Sequence, residues 1–165
     1  MAAGATYVPI STQTLGSAAA TISFSSIPAT YTDLVLIIQA QTTNTTAQNF
    51  NLTFNGSATG YSRTFFYGTG TAAGTSRTSS ASTLAFGVIP TTATGWSIHR
   101  INIMNYANTT TYKTTLIRAD NLNDAAFAAV GLWASTSAIT SISLASAAGN
   151  INTGSIATLY GIAAA

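Results

Sequence analysis

Few side chains in this 165-residue sequence could do acid–base chemistry: one histidine, His99, and three aspartates, Asp33, Asp120 and Asp124. A general acid or base needs a titratable group near its working pH, held within reach of the reacting atom. Asp120 and Asp124 flank "NLN". As paired carboxylates they would suit glycoside hydrolysis, and with Asn121 and backbone carbonyls they would suit a calcium ion. Their spacing matches no defined calcium loop, and acidic residues are common in turns, so a polar loop is the expectation. Asp33 stands just before an apolar run and is expected to cap a turn. His99 lies in "WSIHRINI", an alternating run with no second histidine to share a metal, and reads as an ordinary strand residue.

Other chemistries fare no better. "GTGTAAG", residues 68 to 74, has its last glycine one position late for a dinucleotide fingerprint, and no amphipathic helix follows. It reads as a flexible loop at a strand end. No G-x-S-x-G elbow accompanies the many serines, and the chain has no cysteine, which excludes disulfides, thiolate metal sites and cysteine nucleophiles together. No enzyme, cofactor or metal is expected. The net charge of +2 rests on five cations, Arg63, Arg77, Arg100, Lys113 and Arg118, which form no run. Phosphate binding needs clustered cations, so no nucleic-acid role is expected. No stretch approaches 18 apolar residues, so no membrane span is expected, and residues 1 to 20 lack the pattern of a signal peptide. Four Asn-x-Ser/Thr matches follow from a chain rich in those residues.

The elements that would position any site are strands. Period-two alternation recurs along the chain and helical periodicity scarcely appears. "NFNLTFN" is the clearest case, with Phe50, Leu52 and Phe54 on one face and asparagine or threonine on the other. About eleven short strands, separated by Gly, Asn, Ser and Pro clusters, predict a single all-β antiparallel sandwich over residues 1–165. Asn55-Gly56 is expected to make a tight hairpin turn or open a longer hairpin loop. The alanine runs at 18–20 and 125–129 have helical propensity but are too short to stand alone.

"DLVLIIQAQ", residues 33 to 41, is apolar on both faces: Leu34, Leu36 and Ile38 on one, Val35 and Ile37 on the other. Such a strand needs a second cover, from its own chain or from a neighbouring subunit. Charged residues are only 5% of the chain while hydrophobic ones are 47%. That balance excludes disorder and points to an assembly, a neutral hydrated surface, or both. Closed symmetry hides such a surface on identical copies. An oligomer interface is therefore expected from Leu34, Val35, Leu36, Ile37 and Ile38 or from the C-terminal "ATLYGIAAA", with Leu159, Tyr160 and Ile162. Trp96, Trp133, Tyr61, Tyr67, Tyr106, Tyr112 and Tyr160 could stack on sugar rings or anchor an interface. Tyr61 and Tyr67, beside glycine-rich loops, are the exposed candidates for recognition.

Several stretches, among them "FNLTFNG", "YSRTFFYGTG", "IMNYANTTTYKT" and "VGLWASTSAITSISLASAAGNINTGSIATLYGI", resemble a family of small virion proteins of tailed bacteriophages, including cyanophages. The resemblance runs along essentially the whole chain and carries no catalytic signature. It implies a jelly-roll or related sandwich, three copies per assembly, formation in a bacterial cytoplasm and a place on the virion exterior. Two tasks follow from it. One is a capsid cement (decoration) protein that trimerises on the head and stabilises major capsid protein contacts. The other is a tail-fibre or receptor-binding module recognising host surface glycan. The chain starts with methionine and has no coiled-coil or collagen-like shaft, so a complete short reading frame of the first kind is expected.

Overall fold

The computed structural model describes residues 6–121 and 125–163. Alternation becomes strand throughout: β1 (Tyr7–Thr14), β2 (Thr21–Phe24), β3 (Asp33–Ala40), β4 (Gln48–Phe54), β5 (Tyr61–Gly68), β6 (Ala73–Ala81), β7 (Leu84–Ile89), β8 (Ser97–Met104), β9 (Lys113–Asn121), β10 (Ala125–Trp133), β11 (Ile142–Ser146) and β12 (Ile156–Ile162). Among the described residues there is no helix. The alanines at 126–129 lie in β10, where pairing on both sides overrides helical propensity.

The strands form an eight-stranded sheet, β1-β12-β3-β8-β9-β10-β5-β6, and a four-stranded sheet, β2-β11-β4-β7. All their pairings are antiparallel. Eight of the strands pair as a rolled-up long hairpin: β1 with β12, β2 with β11, β3 with β8, β4 with β7. That is a jelly roll. Two hairpins are inserted into it, β5–β6 between β4 and β7, and β9–β10 between β8 and β11. Both join the larger sheet, which therefore runs on past β7, the edge of the smaller one.

The core lies between the sheets. Leu34, Leu36, Ile38, Ile101, Ile103 and Ile117 of the large sheet meet Ile22, Phe24, Phe50, Leu52, Phe54, Phe86 and Leu144 of the small one, and all are buried. Each such side chain contributes roughly 1.5–3 kcal/mol on burial. Edge strand β1 carries Pro9 and a bulge between Pro9 and Ser11, which blunts it against further pairing.

The sequence reading needs three corrections here. "GTGTAAG" is a tight connection between two paired strands, closed by the Thr69 N–H donating to the Ala72 carbonyl (2.6 Å). The strand that follows, β6, carries "AGTSRTSSA", whose polar residues hide its alternation. Asn55-Gly56 does turn, with φ of 52° and 66° as a turn of that composition requires. It makes no hairpin, however: it passes the chain from β4 in the small sheet to β5 in the large one.

Candidate functional site

Tyr61, the first residue of β5, is fully buried rather than exposed. Its ring stacks on Trp133 (centroids 6.2 Å apart, 15° between planes), and its hydroxyl accepts the Phe54 N–H at 2.8 Å. Burial raises its pKa, against the lowering effect of that hydrogen bond. Tyr61 thus pins the sheet-switching turn, and nothing of it faces solvent. The glycine beside it marked a turn but did not say which way the next side chain would point.

The expected oligomer interface also divides. Leu34, Leu36, Ile38 and Leu159 are fully buried in the core of the chain itself and have no surface to offer a partner. Val35 points to the outer face yet is 1% exposed. Tyr160 and Asn102 flank it on β12 and β8. An Arg100–Tyr7 hydrogen bond (2.7 Å) reaches from β8 to β1 across the two intervening strands. Tyr7 also stands edge-on to Tyr160 (6.2 Å, 82°). The second cover for Val35 is therefore the same chain. Tyr160 and Ile162 are half-buried, and Ile37 is exposed.

That outer face of the large sheet is the first candidate surface. An outer sheet face is normally polar. Here Ile156, Ile37, Ile98, Leu116, Val130 and Phe66 put one exposed apolar side chain on each of six consecutive strands. Leu116 and Val130 are direct cross-strand partners. In the middle row Arg100 is paired directly with Arg118, although the two cations are 18 positions apart in sequence. Like charges in that position repel.

The second surface is a groove of about 190 Å³ where the large sheet overhangs β7. Its lining comes from β5 (Arg63, Phe65, Tyr67), β10 (Phe127), the end of β9 (Asp120), β7 (Gly87, Val88) and β4 (Asn49). The rings form a continuous apolar wall. Phe65 stacks on Phe127 (5.0 Å, 28°), and Tyr67 tilts against Phe65 (6.1 Å). Tyr67 is 39% exposed, so the sequence expectation of an accessible ring holds for this tyrosine. Its position depends on Gly74 across the strand pair, where a Cβ would come 2.6 Å from the phenol oxygen.

The polar part of the groove is built by a bulge and one cation. Gln48 pairs with Ile89 and Phe50 with Phe86, so Asn49 faces two residues, Gly87 and Val88. Gly87 adopts φ +57°, as the bulge demands. The Arg63 guanidinium donates to the Ala85 carbonyl and lies 4.8 Å above the Phe65 ring. Burial lowers its pKa, and it stays cationic. Asp120 follows inward-facing Ala119 on β9, so its side chain is directed to the outer face beside Arg118, where one carboxylate oxygen accepts the Ile98 N–H at 2.6 Å.

The remaining titratable candidates are structural. His99 is fully buried, between the rings of Phe50 (5.1 Å) and Phe86 (5.8 Å). Asp33 caps a turn as expected, though not its own: it accepts the N–H of Asn105, whose φ is 53°. Asp124, the second carboxylate of the considered hydrolase or calcium site, lies outside the described residues, and Asp120 is the member that can be placed.

No protein-family model matches the chain, and no curated protein matches it in sequence. Among solved structures it is similar to a galectin from Caenorhabditis elegans, at 10% identity and TM-score 0.38, with 93% of this chain and 96% of that one covered. It is also similar to a GH43 glycoside hydrolase engineered to display both endo-xylanase and exo-arabinofuranosidase activity, at 13% identity and TM-score 0.38. That match covers 79% of this chain and 29% of the enzyme. Similarity at this level carries no function across, and the jelly-roll assignment rests on the strand order itself.

Proposed function

We propose that this is a non-catalytic structural protein of a tailed-phage virion, a capsid cement protein that works as a homotrimer on the head and bridges major capsid subunits. The observation that supports it is the apolar outer face of the eight-stranded sheet, with the Arg100–Arg118 pair at its centre. The chain offers its own copies only three carboxylates. Asp33 caps the turn at Asn105, and Asp120, one oxygen of which accepts the Ile98 N–H, is the single carboxylate that shares a shallow depression with Arg100 and Arg118. An acidic side chain from a different protein, such as the capsid subunit, suits the arginine pair better than a second copy does. The resemblance to small virion proteins points the same way.

The test separates assembly from folding. Leu116→Lys on a free surface changes monomer stability by no more than about 0.5 kcal/mol, whereas in a packed interface it strands a charge and breaks the contact. Light scattering at micromolar concentration should give a trimer mass for the wild type. Leu116→Lys should keep the trimer mass and the far-ultraviolet spectrum and lose binding to phage heads that lack the chain. A wild-type monomer would remove the self-assembly part of the proposal. In virions carrying the chain, density on the tail instead of the shell would remove the rest. The second reading is a tail-fibre or receptor-binding module for host glycan, and the aromatic groove is the observation in its favour.

A further inference from the structure

Arg63 carries a positive charge into the groove, and among the described residues no carboxylate answers it. Asp120 turns its side chain to the outer face and spends one oxygen on the Ile98 N–H, and Asp33 caps the turn at Asn105. Burial lowers the Arg63 pKa with no acidic neighbour opposing it. A guanidinium has five N–H donors, and Arg63 gives one to the Ala85 carbonyl. Covering that carbonyl protects the free edge of β7, but it needs a single N–H. The other donors stay in a partly desolvated site, where a cation is stabilised by a paired anion.

The rest of the groove constrains what carries the anion. Its volume, about 190 Å³, is below the roughly 300–1,000 Å³ of sites for drug-sized ligands, so one small ring fills it. A peptide strand is a poor occupant. It would pair with the free edge of β7, where the Ala85 carbonyl is already taken and the bulge at Gly87 and Val88 breaks the ladder. Phe65 is itself enclosed, with the Arg63 guanidinium 4.8 Å above its ring and Phe127 stacked on it at 5.0 Å, so its part is to hold the cation in place. Tyr67 and Phe127 then supply the apolar surface. Ser76 and Thr78 of β6, the direct partners of Phe65 and Arg63, put hydroxyls on the same face. A pyranose bearing a carboxylate matches all three features. Its C–H face suits the rings, its hydroxyls suit the hydroxyl rim, and a guanidinium takes a carboxylate in a bidentate pair.

We propose that the groove between β5, β7 and β10 binds an acidic pyranose, a uronic acid unit of a glycan, through an ion pair with Arg63 and stacking on Tyr67. The proposal rests on the glycan-recognition reading above and names its sugar class.

The experiment is saturation-transfer NMR on the full chain. The probes are methyl glucuronoside and methyl galacturonoside, methyl glucoside as the neutral counterpart, and acetate and N-acetylglutamate methylamide as carboxylates without a sugar ring. At least one uronoside should receive saturation with millimolar affinity and bind about tenfold or more tightly than methyl glucoside, as hydrogen bonds to a charged group imply. Arg63→Gln keeps a donor for Ala85 and should remove that preference, while Arg63→Lys should retain part of it. Tyr67→Ala should weaken every sugar by about tenfold. Gly74→Ala, whose Cβ would come 2.6 Å from the Tyr67 phenol oxygen, should act in the same direction. Tyr112→Ala removes an exposed tyrosine beside Lys113, at the end of β9 away from the groove, and should bind as wild type does. Equal binding of methyl glucoside and the uronosides, or an undiminished preference in a folded Arg63→Gln, would overturn the inference and leave glycan recognition standing. Acetate or the glutamate probe binding as tightly as the uronosides, or equal loss in Tyr112→Ala, would overturn the assigned site. Saturation of none of the sugars would remove the inference together with the glycan reading, and would leave the cement reading as it is.

Discussion

Acid should unfold this protein through one residue. The His99 Nε2 lies 2.7 Å from the Ser97 hydroxyl oxygen, and that hydroxyl in turn donates to the Ala40 carbonyl (3.3 Å). With the Ser97 proton committed, Nε2–H must be the donor, and Nδ1 is left as a bare lone pair with no partner. Protonating Nδ1 would bury both a charge and a donor without an acceptor, against Phe50, Phe86 and Gly87. Burial accordingly lowers the His99 pKa to about 4, with Asp120 opposing weakly. An unfolded histidine titrates near 6.5. Between those values the unfolded chain binds the proton and the folded chain does not, so stability falls as pH falls. It is complete above about pH 6.5, declines by up to about 1.4 kcal/mol per pH unit, and has lost about 3 kcal/mol by pH 4. Urea unfolding at pH 7.5, 6, 5 and 4.5 measures this directly. His99→Gln keeps a donor for Ser97 and should flatten the profile in that window. A wild-type profile already flat from pH 7 to 4.5, or a His99→Gln profile just as steep, would refute the assignment.

Two further substitutions test how the groove and the sheet switch are held. Gly87→Ala places a Cβ 2.6 Å from the His99 ring at φ +57°, and should destabilise the fold by about 2 kcal/mol or more in denaturant melts; a neutral result would mean the bulge is not rigid. Tyr61→Phe removes the acceptor of the buried Phe54 N–H and should cost about 1–3 kcal/mol in the same assay. Loss below a few tenths would mean that the turn is held by the Asn55 side chain alone, which already takes the N–H groups of Thr140 (2.9 Å) and Ser141 (3.1 Å).

Alternation alone was enough to locate strands whose inner face is apolar, such as Phe50, Leu52 and Phe54 in β4. It was silent on β6, an edge strand with no large apolar side chain on either face. Turn chemistry was legible at Asn55-Gly56, because φ is a local property. The sheet that the next strand joins is set by pairing with β10, from Gly68↔Ala126 to Tyr61↔Trp133, far away in sequence, and no local signal carries that. For β3 the sequence left the second cover open between the same chain and a neighbour, and the structure divides its outer face: Val35 is buried within the chain, flanked by Tyr160 and Asn102, while Ile37 is exposed. The groove was invisible for the same reason. Its lining comes from β4, β5, β7, β9 and β10, and only the exposed Tyr67 could be named beforehand.

The five cations show how far a formal charge count can mislead about a surface. Lys113 is buried, with Nζ donating to the carbonyls of Thr111 (2.8 Å) and Thr136 (3.2 Å), and burial lowers its pKa. Arg63 is drawn into the groove against Ala85 and Phe65. That leaves Arg77, Arg100 and Arg118, and the last two sit side by side on the apolar outer face. A chain this poor in charge would gain nothing in solubility by pairing two of its three remaining surface cations, since spreading them would lower their repulsion. Asp120 is the one carboxylate that shares a depression with both arginines and Ile98; under the proposed cement function, acidic side chains of the capsid subunit would relieve the remaining repulsion on contact. Neutral threonine and asparagine elsewhere keep the rest of the surface hydrated without adding charge.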